Sequence, residues 1–161
     1  MQREMRVQGL LIDPITNMPI VVLRDPRTDA KLPIWVGVFE ANAIAVELEK
    51  IRTPRPMTHD LLREALRQLG AKLVRVAVVD LQDNTFYAAL ELETPFGPKT
   101  LDARPSDAIA LALRCQAPIL VDERVVEAAQ RIDLTQGRQD AERFRAWLES
   151  LDEGQFGKYE I

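Results

Sequence analysis

The sequence predicts an α+β fold in which a strand-strand-strand-helix(-helix) unit occurs twice. Together the two copies form a mixed or barrel-like sheet with flanking helices, followed by a C-terminal helix. Three observations point there. Short apolar runs are punctuated by Pro, Asp, Asn and Gly, each third run is followed by apolar residues at helical spacing, and the order of elements repeats once.

The first strand is read over 5–12, where Met5, Val7 and Gly9 alternate with Arg6 and Gln8 ahead of Leu10, Leu11 and Ile12. Asp13, Pro14 and Asn17 mark a turn, and a second apolar strand runs from Pro19 to Leu23. The turn from Asp25 to Asp29 leads to a third strand from Lys31 to Val36, which Gly37 ends. Ala41, Ile44, Ala45 and Leu48 then stand at i, i+3, i+4 and i+7, the apolar stripe of a helix. Pro54, Arg55 and Pro56 break the chain. Thr58 is the expected N-cap of a second helix, with Asp60 in the first turn, where the helix dipole favours a carboxylate. Leu62, Ala65, Leu66 and Leu69 form its stripe, and Gly70 stops it.

The pattern then restarts. Lys72 to Leu81 reads as a Val-rich strand, Asp80 and Asn84 bracket a turn, and 86–93 alternates with Phe86, Ala88, Leu90 and Leu92 on one face. Pro95 to Pro98 turn the chain into a strand from Lys99 to Ala103. A helix carrying Ile109, Ala112 and Leu113 follows Arg104 and Pro105, and Pro118 precedes a short extended piece, Ile119 to Val121. Asp122 caps a helix through about Arg131, Thr135 to Gly137 form a loop, and Phe144, Trp147, Leu148 and Leu151 stripe a final helix that packs on the domain or on a second subunit, or else docks a separate partner. The tail from Gly154 is expected to be loosely ordered.

Two spacings favour a duplication. Asp13 and Asn17 recur 67 positions later as Asp80 and Asn84, and the Ala-Ile-Ala of 43–45 recurs 65 positions later at 108–110. The division is therefore a domain over 1–133, with repeats at about 5–70 and 71–133, and a helical extension over 134–161. The two helix starts, near Glu40 and near Asp107, should be related by approximate symmetry and either face one another or line a shared groove.

Composition narrows the function by exclusion. The net charge of −4 is not that of a protein gripping nucleic acid by charge alone, so such binding needs a local basic patch or a metal between carboxylate and phosphate. One His and one Cys exclude a conventional structural zinc site within a single chain, and Cys115 has no partner for an intramolecular disulfide. No apolar run approaches the roughly 18 residues of a membrane span, and no signal peptide follows the polar start, so the expected location is cytoplasmic, without membrane. The apolar strands and aromatic tail exceed what one small domain buries, which suggests a homo-oligomer.

Two segments carry a family resemblance: LPIWVGVFEANAIAVELEKIRTPRPMTHDLL, Leu32 to Leu62, and LDARPSDAIALALRCQAPILV, Leu101 to Val121. Both resemble signature stretches of the bifunctional nuclease domain family, and the likeness extends over roughly Met5 to Arg131, more weakly around Phe144 to Phe156. The resemblance implies an enzyme that hydrolyses phosphodiester bonds of both RNA and DNA, with nucleic acid as its partner. Some relatives resemble this domain fused to a short UvrB/UvrC-type helical motif, which this sequence is not expected to carry.

Phosphodiester hydrolysis needs an activated water, charge neutralisation on the phosphoryl oxygens and help for the leaving oxygen. The segment Asp102 to Asp107 gathers suitable groups at a strand end and a helix start. Arg104 and Ser106 would bind phosphate beside exposed backbone N–H groups, while Asp102, Asp107 and Glu40 would hold a divalent cation, Mg²⁺ or Mn²⁺. The local alternative is that Ser106 or Asp107 caps the helix and Arg104 pairs with Asp102. His59 is the one side chain suited to proton transfer near neutrality, so it joins Glu40 and Asp107 as a catalytic candidate. Asp60 would orient it, unless the partner comes from the other repeat, because neighbours on a helix point apart. Arg52 and Arg55 add a basic edge, with Arg55 a further substrate-binding candidate. Trp35 reads as core or as a base-stacking ring, and Cys115 as inert packing. The competing class is a non-catalytic oligomeric scaffold or a small-anion or nucleotide-binding module using the same helix starts.

Overall fold

The computed structural model describes residues 1–135 and 146–150. The chain forms β1 (Gln2–Ile12), β2 (Pro19–Arg24), β3 (Lys31–Trp35), α1 (Val38–Leu48), α2 (Thr58–Gln68), β4 (Lys72–Gln82), β5 (Thr85–Thr94), β6 (Gly97–Ala103), α3 (Pro105–Cys115), β7 (Ile119–Asp122) and α4 (Glu123–Thr135). The turns follow from local chemistry. Asp13 Oδ1 accepts the Ile15 N–H at 2.8 Å, and Asp25 Oδ1 accepts the Arg27 N–H at 2.8 Å. Each Asx-type turn closes with a residue in the left-handed region, Asn17 at φ 59° and Asp29 at φ 62°. The β4–β5 hairpin turns on Asp83 and Asn84, both with positive φ, the geometry that matches strand twist in a two-residue loop.

The seven strands form one mixed sheet in the order β3-β2-β1-β7-β4-β5-β6. β7 runs antiparallel to β1 and parallel to β4, and the other pairs are antiparallel. Strands β3 and β6 are its edges, so the sheet is open and the barrel-like alternative does not hold. The piece expected to be merely extended, Ile119 to Val121, is the central strand joining the two three-stranded halves.

The main core lies between one face of the sheet and the helices. Met5, Val21, Leu23, Val76, Val78, Ala88 and Leu90 meet Ala41, Ile44, Ala45, Ala108, Ile109 and Ala112 there. The Ala-Ile-Ala segments are the sixth to eighth residues of α1 and the fourth to sixth of α3, so they do not hold equivalent places, but their small buried side chains let the two helices approach closely. On the opposite face, Leu11, Ile20 and Val22 pack with Leu148 and Trp147, so the described part of the expected C-terminal helix lies against this same domain.

Four local expectations are corrected. Asp80 lies within β4, whereas Asp13 follows the end of β1, so these two residues do not hold equivalent places. Thr58 is the first residue of α2; the N-cap is Met57, whose N–H is accepted by Asp60 Oδ2 at 3.0 Å. The stripe of α2 is largely uncovered: Leu62 is 37% and Leu69 75% exposed, Leu66 alone of the stripe packs on the core, and His59 is the buried residue of that helix. α4 continues to Thr135, which was expected in a loop, because nothing at Arg131 stops the helix. Gln136, Gly137, Phe144, Leu151 and the tail from Gly154 lie outside the described residues.

Candidate active site

Three helix starts converge at one place. α1 begins after Gly37 and carries Glu40 in its first turn. α3 begins with Pro105 at its first position, where a missing N–H costs nothing, and carries Asp107 in its first turn. α2 brings His59 to them. No side-chain hydrogen bond caps α1 or α3, so the capping alternative for Ser106 and Asp107 does not hold.

The side chains form a continuous chain of contacts. His59 Nε2 lies 2.9 Å from Asp107 Oδ1, and Arg104 Nε donates to Asp107 Oδ2 at 2.9 Å. Arg104 also reaches α1, pairing through its NH2 nitrogen with Glu40 Oε1 at 2.9 Å. Gly37 makes room for this pair, because a Cβ there would overlap the carboxylate of Glu40. The Arg104 side chain stays 66% exposed while Asp107 and Glu40 are mostly covered. Burial pushes the Asp107 carboxyl up, but hydrogen bonds from Arg104 and His59, together with their charges, outweigh it and hold the group below the ordinary Asp range. The same carboxylates raise the Arg104 guanidinium.

A second network stands behind the first. The Arg114 side chain is fully buried; it donates to Asp60 Oδ1 at 2.8 Å, to the Ala110 carbonyl at 2.9 Å and to the Ala43 carbonyl at 3.0 Å. One guanidinium therefore ties α2 to both α1 and α3. Burial raises the Asp60 carboxyl, but the Met57 N–H and the Arg114 fork lower it more. Arg63 adds a bond from α2 to the Arg114 carbonyl at 3.3 Å.

The expected residues thus separate into those that meet and those that do not. Glu40, Arg104, Asp107 and His59 come together. Asp60 does not orient the imidazole; Asp107 of the other half does, and Asp60 serves Arg114 instead. Ser106 is buried, as is His59. Asp102 stands exposed on edge strand β6, and Arg104 pairs with Glu40 and Asp107 rather than with it. The trio Asp102, Asp107 and Glu40 does not fit a metal site. Arg104 occupies both acids of the pair, and among the described residues no group of three or more His, Cys, Asp or Glu is placed to hold an ion. Arg55 and Arg52 are exposed on the loop leading to α2. Trp35 is 42% exposed and donates from Nε1 to Asp13 Oδ2 at 2.8 Å, anchoring the first turn. Cys115 is half-buried, and burial pushes its thiol up, as suits packing. Sequence reasoning missed Arg114. The available signal was its spacing: seven residues after Asp107 on a helix, it shares that face.

Fold and site together define an open mixed-sheet α+β domain whose helix starts gather an imidazole, two carboxylates and a guanidinium. The chain belongs to the bifunctional nuclease domain family, whose model matches residues 21–133. It is 38% identical over 162 residues to an uncharacterized protein of Mycobacterium tuberculosis, covering 95% of this chain and 97% of that one. It is 30% identical over 118 residues to Bifunctional nuclease 1 of Oryza sativa subsp. japonica and 27% identical over 118 residues to Bifunctional nuclease 1 of Arabidopsis thaliana. Each plant match covers 71% of this chain and 36% of the relative, so the chain spans about a third of those proteins. Among the described residues no helix is long and apolar enough to cross a membrane.

Proposed function

We propose that this chain is a nuclease that hydrolyses phosphodiester bonds of RNA and DNA at the His59–Asp107–Arg104–Glu40 cluster. The observation that carries the reading is the 2.9 Å contact of His59 Nε2 with an Asp107 that also holds Arg104. An ionised Asp107 only accepts, so the proton between them sits on Nε2 and leaves the Nδ1 lone pair free to take a proton from the attacking hydroxyl or water. Arg104 uses Nε and one terminal nitrogen on its carboxylates, and its other terminal nitrogen keeps two N–H groups for phosphoryl oxygens. Glu40 and Asp107 orient that guanidinium, which neutralises charge developing on the phosphoryl oxygens. Arg55 and Arg52 extend the phosphate track along the loop before α2. Supporting the reading are the family membership and the likeness to plant proteins named bifunctional nucleases.

The same reading takes the two halves as copies of one unit; the equivalent third-residue places of Glu40 in α1 and Asp107 in α3 and the placement of three strands on either side of β7 favour it. It also takes the working form as a cytoplasmic homo-oligomer. A second reading, an anion-binding module, is favoured by the pairing of Arg104 with both acids. An assay separates them. Purified full chain and Asp107→Asn are incubated with end-labelled RNA and DNA oligonucleotides, and rates are read on gels. Wild type should cleave both, and Asp107→Asn should be about 100-fold slower, as expected when a general base loses its orienting carboxylate. Equal rates sink the nuclease site; binding without cleavage supports the module.

A further inference from the structure

Phe39 is 86% exposed, and its neighbour Val38 is 56% exposed, on a helix whose next turns are almost wholly buried. An exposed aromatic ring alone means little. Its place gives it meaning: the next residue is Glu40, whose Oε1 is 2.9 Å from Arg104, and consecutive Cα atoms lie about 3.8 Å apart. Phe39 therefore shares one helix turn with the acid that holds this guanidinium, its side chain leaving α1 on a different side from that of Glu40. We infer that Phe39 is a base-stacking platform and that the site takes single-stranded RNA or DNA, a conclusion that rests on Arg104 as the phosphate grip proposed above.

Two features fit this occupant. Stacking needs a base whose face is free, which a single strand presents and an intact duplex hides. It is also blind to the sugar, since every base has a π-face, so one ring serves RNA and DNA alike. Phe96 provides an internal contrast. It is 89% exposed but lies on the β5–β6 turn, at the end of β6 opposite Arg104, about 20 Å along that strand.

The test uses the full chain on single-stranded oligo-dT and on the same oligomer carrying abasic residues. Phe39→Ala should raise KM about tenfold on oligo-dT, near the low end of what a lost base–aromatic stack costs, with kcat within about twofold. Phe39→Trp should restore KM, Phe96→Ala should leave it unchanged, and on the abasic strand wild type and Phe39→Ala should coincide. The inference fails if Phe39→Ala leaves KM on oligo-dT unchanged, or raises it equally on the abasic strand. It fails equally if size-exclusion chromatography shows that the substitution acts by dissociating an oligomer. If wild type cleaves nothing, the nuclease reading falls and stacking is judged by binding alone. Quenching of the added fluorescence of Phe39→Trp by oligo-dT but not by the abasic strand upholds it, and no quenching overturns it.

Discussion

α2 and the pair α1–α3 attach to the same body in opposite ways. α1 and α3 are buried through Ala41, Ile44, Ala45, Ala108, Ile109 and Ala112, so apolar packing holds them. α2 leaves Leu61, Leu62 and Leu69 in solvent and, besides Leu66 packed on the core, is joined by polar contacts: His59 to Asp107, Asp60 to Arg114 and Arg63 to the Arg114 carbonyl. The packed pair supplies Glu40, Arg104 and Asp107, while the imidazole rides on the helix whose hold depends largely on charge. Geometry at the site is therefore controlled by electrostatics from one side and by packing from the other.

The contrast can be broken most forcefully at Asp60. Asp60→Ala leaves a fully buried guanidinium without its carboxylate and removes the N-cap acceptor, so a loss of about 3–5 kcal/mol is expected in denaturant unfolding. Activity should fall as well, because His59 loses its support. A loss below about 1 kcal/mol would show that α2 is held by something else. Ile109→Ala probes the packed side: a fully buried side chain truncated in α3 should cost about 3 kcal/mol.

Acid should discriminate the two attachments next. Asp60 and Asp107 are both held below the ordinary Asp range, so their contribution is complete above that range and is lost as pH falls through the lowered values. Thermal stability should decline from about pH 5 downward, and Asp60→Asn should flatten the decline. An unchanged slope in that variant would remove Asp60 from the account. The smallest effect is expected at Leu69, 75% exposed on α2. Leu69→Ser should change stability by less than about 0.5 kcal/mol, and a larger loss would reveal a covered face.

Much of the local structure was legible. Alternating apolar residues announced the strands, and Asp13, Asp25 and Gly70 marked stops through their own hydrogen bonding or backbone freedom. Glu40, Asp107 and His59 were readable as candidates because residue type and helix-start position are local properties. The stripe of α2 misled in part: Leu62, Ala65, Leu66 and Leu69 have the spacing of a buried face, yet only Leu66 packs on the core, because periodicity tells which residues share a side, not whether anything covers it.

What the chain by itself determined is the identity of the elements and the chemical kinds placed at their ends, since turns, helix starts and side-chain alternation depend on neighbours a few positions apart. The tertiary structure decided the rest. It put β7 between the halves, gave His59 an acid 48 residues away instead of the adjacent Asp60, set Arg104 between Glu40 and Asp107, and buried Arg114 as the tie behind them. Those pairings depend on how helices stack on a sheet, and packing brings together groups whose separation along the chain carries no signal of their contact.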